Sequence, residues 1–285
     1  MEKTQTTLPK NLRAAIRTVV TILVFLVYMF PFYMIVLNSF KEKRDIIRMP
    51  LSWGGDRGFT LENYIEAFKA MDFLNVFKNS IIITGISVVL IILFSSMAAY
   101  IFVRKEWKIN KILFLLMMFS MVIPFQVVMI PLISIYGGIF NMLNHRATLI
   151  FMHLGFSVSM AVFMYHGFIR GGVPLSLEEA AQIDGASRIR TFFQIVFPLL
   201  KPTTATLVIL YAMSLWNDYL LPSLILTGRD LYTIPIATKL FQGTYGNDMD
   251  LLMAALVMAI IPVIILYLVL QKYIIAGVVA GAVKS

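Results

Sequence analysis

Apolar residues in this chain gather into long blocks separated by shorter polar stretches. A bilayer crossing takes about 20 predominantly apolar residues as a helix. By that measure the blocks predict six spans, over 16–38, 77–103, 112–136, 147–169, 203–225 and 251–275. An outer-membrane barrel would instead show segments of about 10 residues with strict alternation, and these blocks do not alternate. The first span, flanked by Lys10, Arg13 and Arg17 and without a small-residue cleavage site, reads as a retained anchor. Pro31, Pro124, Pro131 and Pro262 fall inside spans and predict kinks, because proline removes a backbone donor.

Three polar stretches are long enough to hold structure of their own. In 39–76, Trp53 precedes a Gly54-Gly55 turn, and Thr60-Leu61-Glu62-Asn63-Tyr64 opens an amphipathic helix through Phe68. The stretch 226–250 runs through Gly228, Pro235, Gly243 and Gly246. The third, 170–201, carries the most specific signal and is taken up below.

Composition supports lipid as the solvent. Of the 285 residues 59% are apolar and 14% charged, against roughly 45–50% and about 25% in soluble domains. There is no cysteine, which excludes disulfides and thiolate metal sites in this chain. His145, His153 and His166 stand apart, and no metal site is read from them. No G-x-x-x-x-G-K-[ST] phosphate loop occurs: Gly171-Gly172 is followed by Val173-Pro174. No Ser-His-Asp arrangement is evident either, so the chain by itself does not read as an enzyme.

The net charge of +9 reads as topology rather than as a nucleic-acid surface. Short connections carry the topological weight. The 104–111 connection holds Arg104, Lys105, Lys108 and Lys111, whereas 137–146 holds only Arg146. Both termini are therefore placed in the cytoplasm, and the whole basic excess falls on the inner side, where anionic lipid and cytoplasmic partners lie.

On that assignment the 170–201 connection is an inner loop. Ser176 followed by Glu179 fits a capping box behind Pro174. A short helix over 177–183 is predicted, ended by Gly185 at positive φ. A second follows over 187–197, with Pro198 stopping it. Two short helices meeting at a glycine make a compact knob. Ala180 and Ala181 let another surface come close, and Glu178, Glu179 and Asp184 give it a directional charge.

The spacing Glu179-Ala180-Ala181, then Gly185, then Ile195 and Phe197-Pro198 resembles the EAA loop of ABC importer permeases. That family's loop ends Ile-x-Leu-Pro, so Phe197 departs from it. Gly167-Phe168 with Pro174, Ile183-Asp184-Gly185-Ala186-Ser187, and Trp216-Asn217-Asp218 are similar to the carbohydrate subgroup. Asn79-Ser80, and Pro124 with Pro131, are similar as well, and the tail from Ala276 to Ser285 looks like that of the smaller maltose-type permease. The similarity runs from about residue 16 to the end.

The resemblance implies an all-α membrane protein of six transmembrane helices with the type I ABC importer permease fold. It divides the chain into a cytoplasmic segment 1–15, a first helix 16–38, an extracellular loop 39–76, a core 77–276 and a cytoplasmic tail 277–285. Glu178, Glu179, Ala180, Ala181, Asp184, Gly185, Ile195 and Pro198 would couple to an ATPase, and Gly281, Lys284 and Ser285 would reach it from the tail. Asn79, Gln126, Trp216, Asn217 and Asp218 are candidates for the substrate path. The implied partners are a second, homologous permease, two ATPase subunits holding ATP and Mg, and an extracellular or periplasmic solute-binding protein delivering a sugar of the oligosaccharide class. No nucleic acid is implied, and the setting is the bacterial cytoplasmic membrane. Two alternatives stand beside this one: the same architecture carrying glycerol phosphate, an amino acid or a polyamine, and an ion-coupled secondary transporter. The second usually shows mid-membrane ionisable residues or broken helices, and mid-span charges are nearly absent here.

Overall fold

The computed structural model describes residues 10–56, 58–242 and 248–282. Every regular element among them is helical: α1 (Lys10–Asn38), α2 (Lys43–Arg48), α3 (Glu62–Ala70), α4 (Phe73–Arg104), α5 (Lys108–Ser120), α6 (Phe125–Ile133), α7 (Arg146–Gly172), α8 (Leu175–Ile183), α9 (Arg188–Thr191), α10 (Phe197–Leu199), α11 (Lys201–Trp216), α12 (Leu220–Ile225), α13 (Ile234–Thr238) and α14 (Met249–Ala282). Wider π-turns follow α6 over Ser134–Ile139 and join α9 to α10 over Phe192–Val196.

Among the described residues, α1, α4, α7 and α14 are each long and apolar enough to cross a bilayer. Two bent pairs make up to six if each counts as one span: Lys108–Ser120 with Phe125–Ile139, and Arg188–Leu199 with Lys201–Trp216.

Both bends correct the sequence reading. The span expected at 112–136 is not continuous, because the chain turns through 99° before Phe125. Pro124 sits at the turn with φ −61° and ψ 135°; it offers no N–H, and its ring bars the preceding residue from helical geometry. Pro198 does not stop the second loop helix. It lies in the first turn of α10, and the chain turns through 75° only after Leu199. The preceding π-turn, in which Phe197 N–H reaches Phe192 O, carries the helix into the proline. The span expected at 203–225 is interrupted as well: α11 ends at Trp216 and α12 resumes at Leu220.

The chain forms two compact units, Met1–Ala70 with Thr238–Met258 and Met71–Ala237 with Ala259–Ser285. In the first unit, residues 11–33 of α1 are exposed on all sides although nearly all are apolar. Such a helix is stable only in lipid or against another membrane helix. Beyond its end the chain closes on a buried lysine. Lys41 Nζ donates to Asn38 Oδ1 at 3.2 Å, Met49 O at 3.1 Å and Pro50 O at 3.3 Å. Burial pushes its pKa down, and the nearby Asp45 carboxylate pulls the other way. Asn63, on α3, donates to Ser39 O and Lys41 O, both at 2.9 Å, and so ties the amphipathic helix to this turn. The Gly54 turn is present, with φ +83°, and a Cβ on Gly55 would collide with the Asp45 carboxylate.

In the second unit α4 packs along α7, with α11 alongside. Ile91, Ala99, Ala161, Val162, Tyr165, Ile169 and Leu207 are fully enclosed there. Lipid tails are as apolar as leucine, so packing and interhelical hydrogen bonds must hold such helices together. The bonds are present: Tyr165 Oη with Thr204 Oγ1 at 2.8 Å, Tyr211 Oη to Ser157 O at 2.7 Å, and Ser120 Oγ with Ser159 Oγ at 2.8 Å. At one end Asn144, at φ +63°, accepts from Thr227 N at 3.0 Å and Gly228 N at 2.7 Å.

Replacing Asn63 by Ala leaves two buried carbonyls without a donor. We expect a loss of about 2 kcal/mol, seen as faster proteolysis within residues 42–61 of the detergent-solubilised protein.

Candidate functional site

The 170–201 loop forms the expected knob, but it is held by a different device. α8 starts at Leu175 with Pro174 as N-cap, and no side chain caps it. Ser176 is therefore already helical and the capping box does not form. Arg104 Nη2 donates to Val173 O at 2.7 Å and fixes the entry to the helix.

The anchor is Glu178. Tyr100 and Arg104 lie one turn apart on α4 and so share a face. Arg104 Nε donates to Glu178 Oε1 at 2.7 Å, and Tyr100 Oη to Oε2 at 2.7 Å. The Glu178 side chain is 3% exposed and that of Arg104 15%. Glu178 was expected to present charge outward; it turns inward because the basic partner on α4 is there to receive it. Ala181 is corrected in the same way: it is buried and lets α8 approach the bundle.

With Glu178 and Ala181 inside, the helical repeat puts Glu179, Ala180 and Ile183 outside, followed by the exposed Asp184. Ile183 is 86% exposed, the highest value among the large apolar side chains described. The helix then ends as expected. Gly185 has φ +80°, Ala186 N–H reaches Ala181 O at 2.9 Å and Gly185 N–H reaches Gln182 O at 3.1 Å, the pairing of a Schellman motif. Ser187 Oγ caps the next helix by accepting from Arg190 N at 3.3 Å. Ile195 and Pro198 are half-buried further along and lie off the outward face of α8. A cavity of about 680 Å³ opens beside the knob, lined by Arg104, Trp107, Gln182, Ile189 and Phe193 among others.

The substrate-path candidates separate. Asn79 is fully buried, and its amide donates to Asp230 O and Tyr232 O, both at 2.9 Å. It is a clamp on the 229–232 turn, not a wall of an open path. Trp216 is buried as well, edge-on to Phe77 at 5.9 Å. Gln126 is exposed just beyond the 99° bend. Asn217 is exposed, and Asp218 is partly exposed, in the gap between α11 and α12. Gly281 lies in α14, whereas Lys284 and Ser285 lie outside the described residues.

The structure also assembles a Ser-His-Asp row that the sequence did not reveal. His153 Nδ1 meets Ser87 Oγ at 3.3 Å, and its Nε2 meets Asp218 Oδ2 at 3.3 Å. Ser87 is fully buried and His153 is 2% exposed, so the hydroxyl cannot reach a substrate and this is no nucleophilic triad. Its members lie 65 and 66 positions apart. The available signals were a histidine within a mainly apolar span and the Trp216-Asn217-Asp218 segment. Tyr100 carries no such signal in the sequence, Arg104 reads there as a topological charge, and Ile183 as part of a family-like segment.

The family model described as binding-protein-dependent transport system inner membrane component matches residues 91–279. The chain is 42% identical over 268 residues to the probable starch degradation products transport system permease protein AmyC of Thermoanaerobacterium thermosulfurigenes, covering 94% of this chain and 96% of that one. It is 39% identical over 268 residues to the melibiose/raffinose/stachyose import permease protein MelC of Bacillus subtilis, with the same coverage of 94% and 96%. In fold it is similar to a chain of the crystal structure of a bacterial ABC transporter involved in import of the acidic polysaccharide alginate. That match has a TM-score of 0.76 at 22% identity and covers 94% of this chain and 99% of the other.

Replacing Arg104 by Met strands a buried carboxylate. We expect a loss of about 3–5 kcal/mol, read as a lowered unfolding temperature in detergent. Pairing it with Glu178→Leu should recover most of that loss, because no unpaired charge remains.

Proposed function

The chain belongs to the family of binding-protein-dependent transport system inner membrane components, and from that premise we propose that it is the permease subunit of an ATP-driven sugar importer. The observation that carries the mechanism is the outward face of α8, with Ile183 bare and Glu178 locked beneath it. An apolar residue so exposed at the tip of a rigidly held helix suits burial in a partner's cleft. The partner is an ATPase subunit, one of two holding ATP and Mg, since this chain carries no phosphate loop. A second, homologous permease completes the membrane part, and a solute-binding protein delivers the sugar on the opposite side.

In this reading each bent pair is one span, which makes six, with both termini in the cytoplasm of a bacterial cell and the protein in its cytoplasmic membrane. The basic 104–111 connection supports the orientation. The relatives that carry starch products and raffinose-type sugars support an oligosaccharide as cargo. Transport follows from two states of the bundle, each favoured by a different ligand. Closure of the ATPases pushes α8, and the ion pair passes the push to α4. The bundle opens outward to take sugar from the binding protein, and hydrolysis returns it inward. The tail around Gly281, Lys284 and Ser285 serves as a second contact with the ATPases.

Two variants test this in the assembled complex. Ile183→Lys together with Glu179→Lys should abolish co-purification of the ATPase while the chain still inserts in the membrane; full recovery of the ATPase would refute the docking role. Gly185→Val places a β-branched residue at positive φ, a strain of roughly 1–2 kcal/mol, although no neighbouring atom obstructs the new Cβ. We expect it to lower sugar uptake per ATP hydrolysed in proteoliposomes, and Gly185→Asn to be milder.

A further inference from the structure

We propose that the Ser87–His153–Asp218 row is a sugar-contacting site, in which Asp218 accepts hydrogen bonds from sugar hydroxyls and His153 is the residue that positions it. The proposal rests on the reading of the chain as a sugar permease and adds the atoms that would hold the cargo.

Three observations support it. The first is the gradient of exposure along the row. Ser87 is fully buried, the His153 side chain is 2% exposed and the Asp218 side chain 25% exposed. The row therefore leads from the packed interior to an open surface. Its open end falls in the gap between α11 and α12, next to the exposed Asn217.

The second is the bonding pattern. An ionised carboxylate only accepts, so the ring proton must sit on Nε2 to bond Asp218 Oδ2. Nδ1 lies 3.3 Å from the Ser87 hydroxyl, which can serve it as donor or acceptor. Ser87 and Asp218 together hold the ring from both nitrogens, and His153 in turn holds the carboxylate. Oδ2 is the Asp218 oxygen in contact with the ring, and the side chain as a whole remains 25% exposed, so the carboxylate has acceptor capacity beyond that one bond.

The third is cost. An ionisable group among membrane helices is expensive to keep and marks a functional position. If the row only tied α4, α7 and the gap together, an asparagine or serine at 218 would do so without charge. A carboxylate is the stronger acceptor, and it suits a ligand rich in hydroxyl donors and free of negative charge, such as a neutral oligosaccharide.

The test uses the whole complex in proteoliposomes, with its binding protein saturated by maltotriose or by raffinose, reading sugar uptake per ATP hydrolysed. Asp218→Asn keeps the shape and an acceptor for Nε2–H but removes the charge. We expect it to lower that ratio about tenfold, the scale of one hydrogen bond to a charged group. His153→Leu should lower it similarly, while His153→Gln, which retains a donor, should restore most of it. The double variant His153→Leu/Asp218→Asn should be no worse than either single one, because both remove the same contact. General damage to packing would lower uptake and hydrolysis together and would add in the double variant.

The chain contains no cysteine, so Asp218→Cys gives a single label position on this subunit. It should react with a small charged methanethiosulfonate, and sugar-loaded binding protein should protect it. A normal ratio for Asp218→Asn, additive losses in the double variant, or an unreactive Cys at 218 overturns the proposal. A wild-type complex that couples ATP hydrolysis to neither sugar overturns the sugar reading itself, and this inference with it.

Discussion

The architecture depends most on one buried contact, the seat of Glu178 between Arg104 and Tyr100. Exposed ion pairs contribute little, with a median of about 0–1 kcal/mol. Buried pairs add little net stability either, since desolvation offsets the attraction, but breaking one is costly. Their value lies in direction. Glu178 can be satisfied in one rotational setting of α8 against α4, and that setting decides what the helix shows. Ala181 goes inside, Ala180 and Ile183 go outside. A helix free to roll would pass a push into rotation; one pinned by two bonds to a spanning helix passes it into the bundle.

The spans were legible in the sequence because lipid imposes length. The expected 77–103 became Phe73–Arg104, and the expected 147–169 became Arg146–Gly172. Direction was not legible in the same way. Hydropathy marks a residue as apolar whichever way the axis runs, so blocks that bend by 99° and 75° still read as straight spans. Pro124 announced a kink, yet the size of the turn depends on packing around it. Pro198 misled for a related reason. Proline disturbs the ladder of a regular helix, and the π-turn ahead of it had already altered that ladder.

The knob was legible where its geometry is local. Gly185 ends a helix through its own φ, and Ser187 caps the next within three residues. Orientation was not, because Arg104 lies 74 positions before Glu178. With Glu178 and Glu179 adjacent, nothing nearby distinguishes the one that turns inward. The Ser87–His153–Asp218 row was not legible for the same reason: Asp218 stands out in its own segment, but its partners lie on other elements, 65 positions and more away.

Both sites hold a carboxylate against a basic side chain of a long helix, and they differ in what is left over. Glu178 has both oxygens bonded and is 3% exposed. Such a carboxylate is closed to any further ligand by its burial. Asp218 has Oδ2 against the His153 imidazole and remains 25% exposed. The imidazole orients it. A carboxylate bonded through one oxygen and partly exposed keeps room for a further donor, at the place where the helix is interrupted and backbone groups can also face a polar group. The enclosure of the pair thus separates the two carboxylates: the one held by arginine is closed off, and the one held by histidine remains partly open.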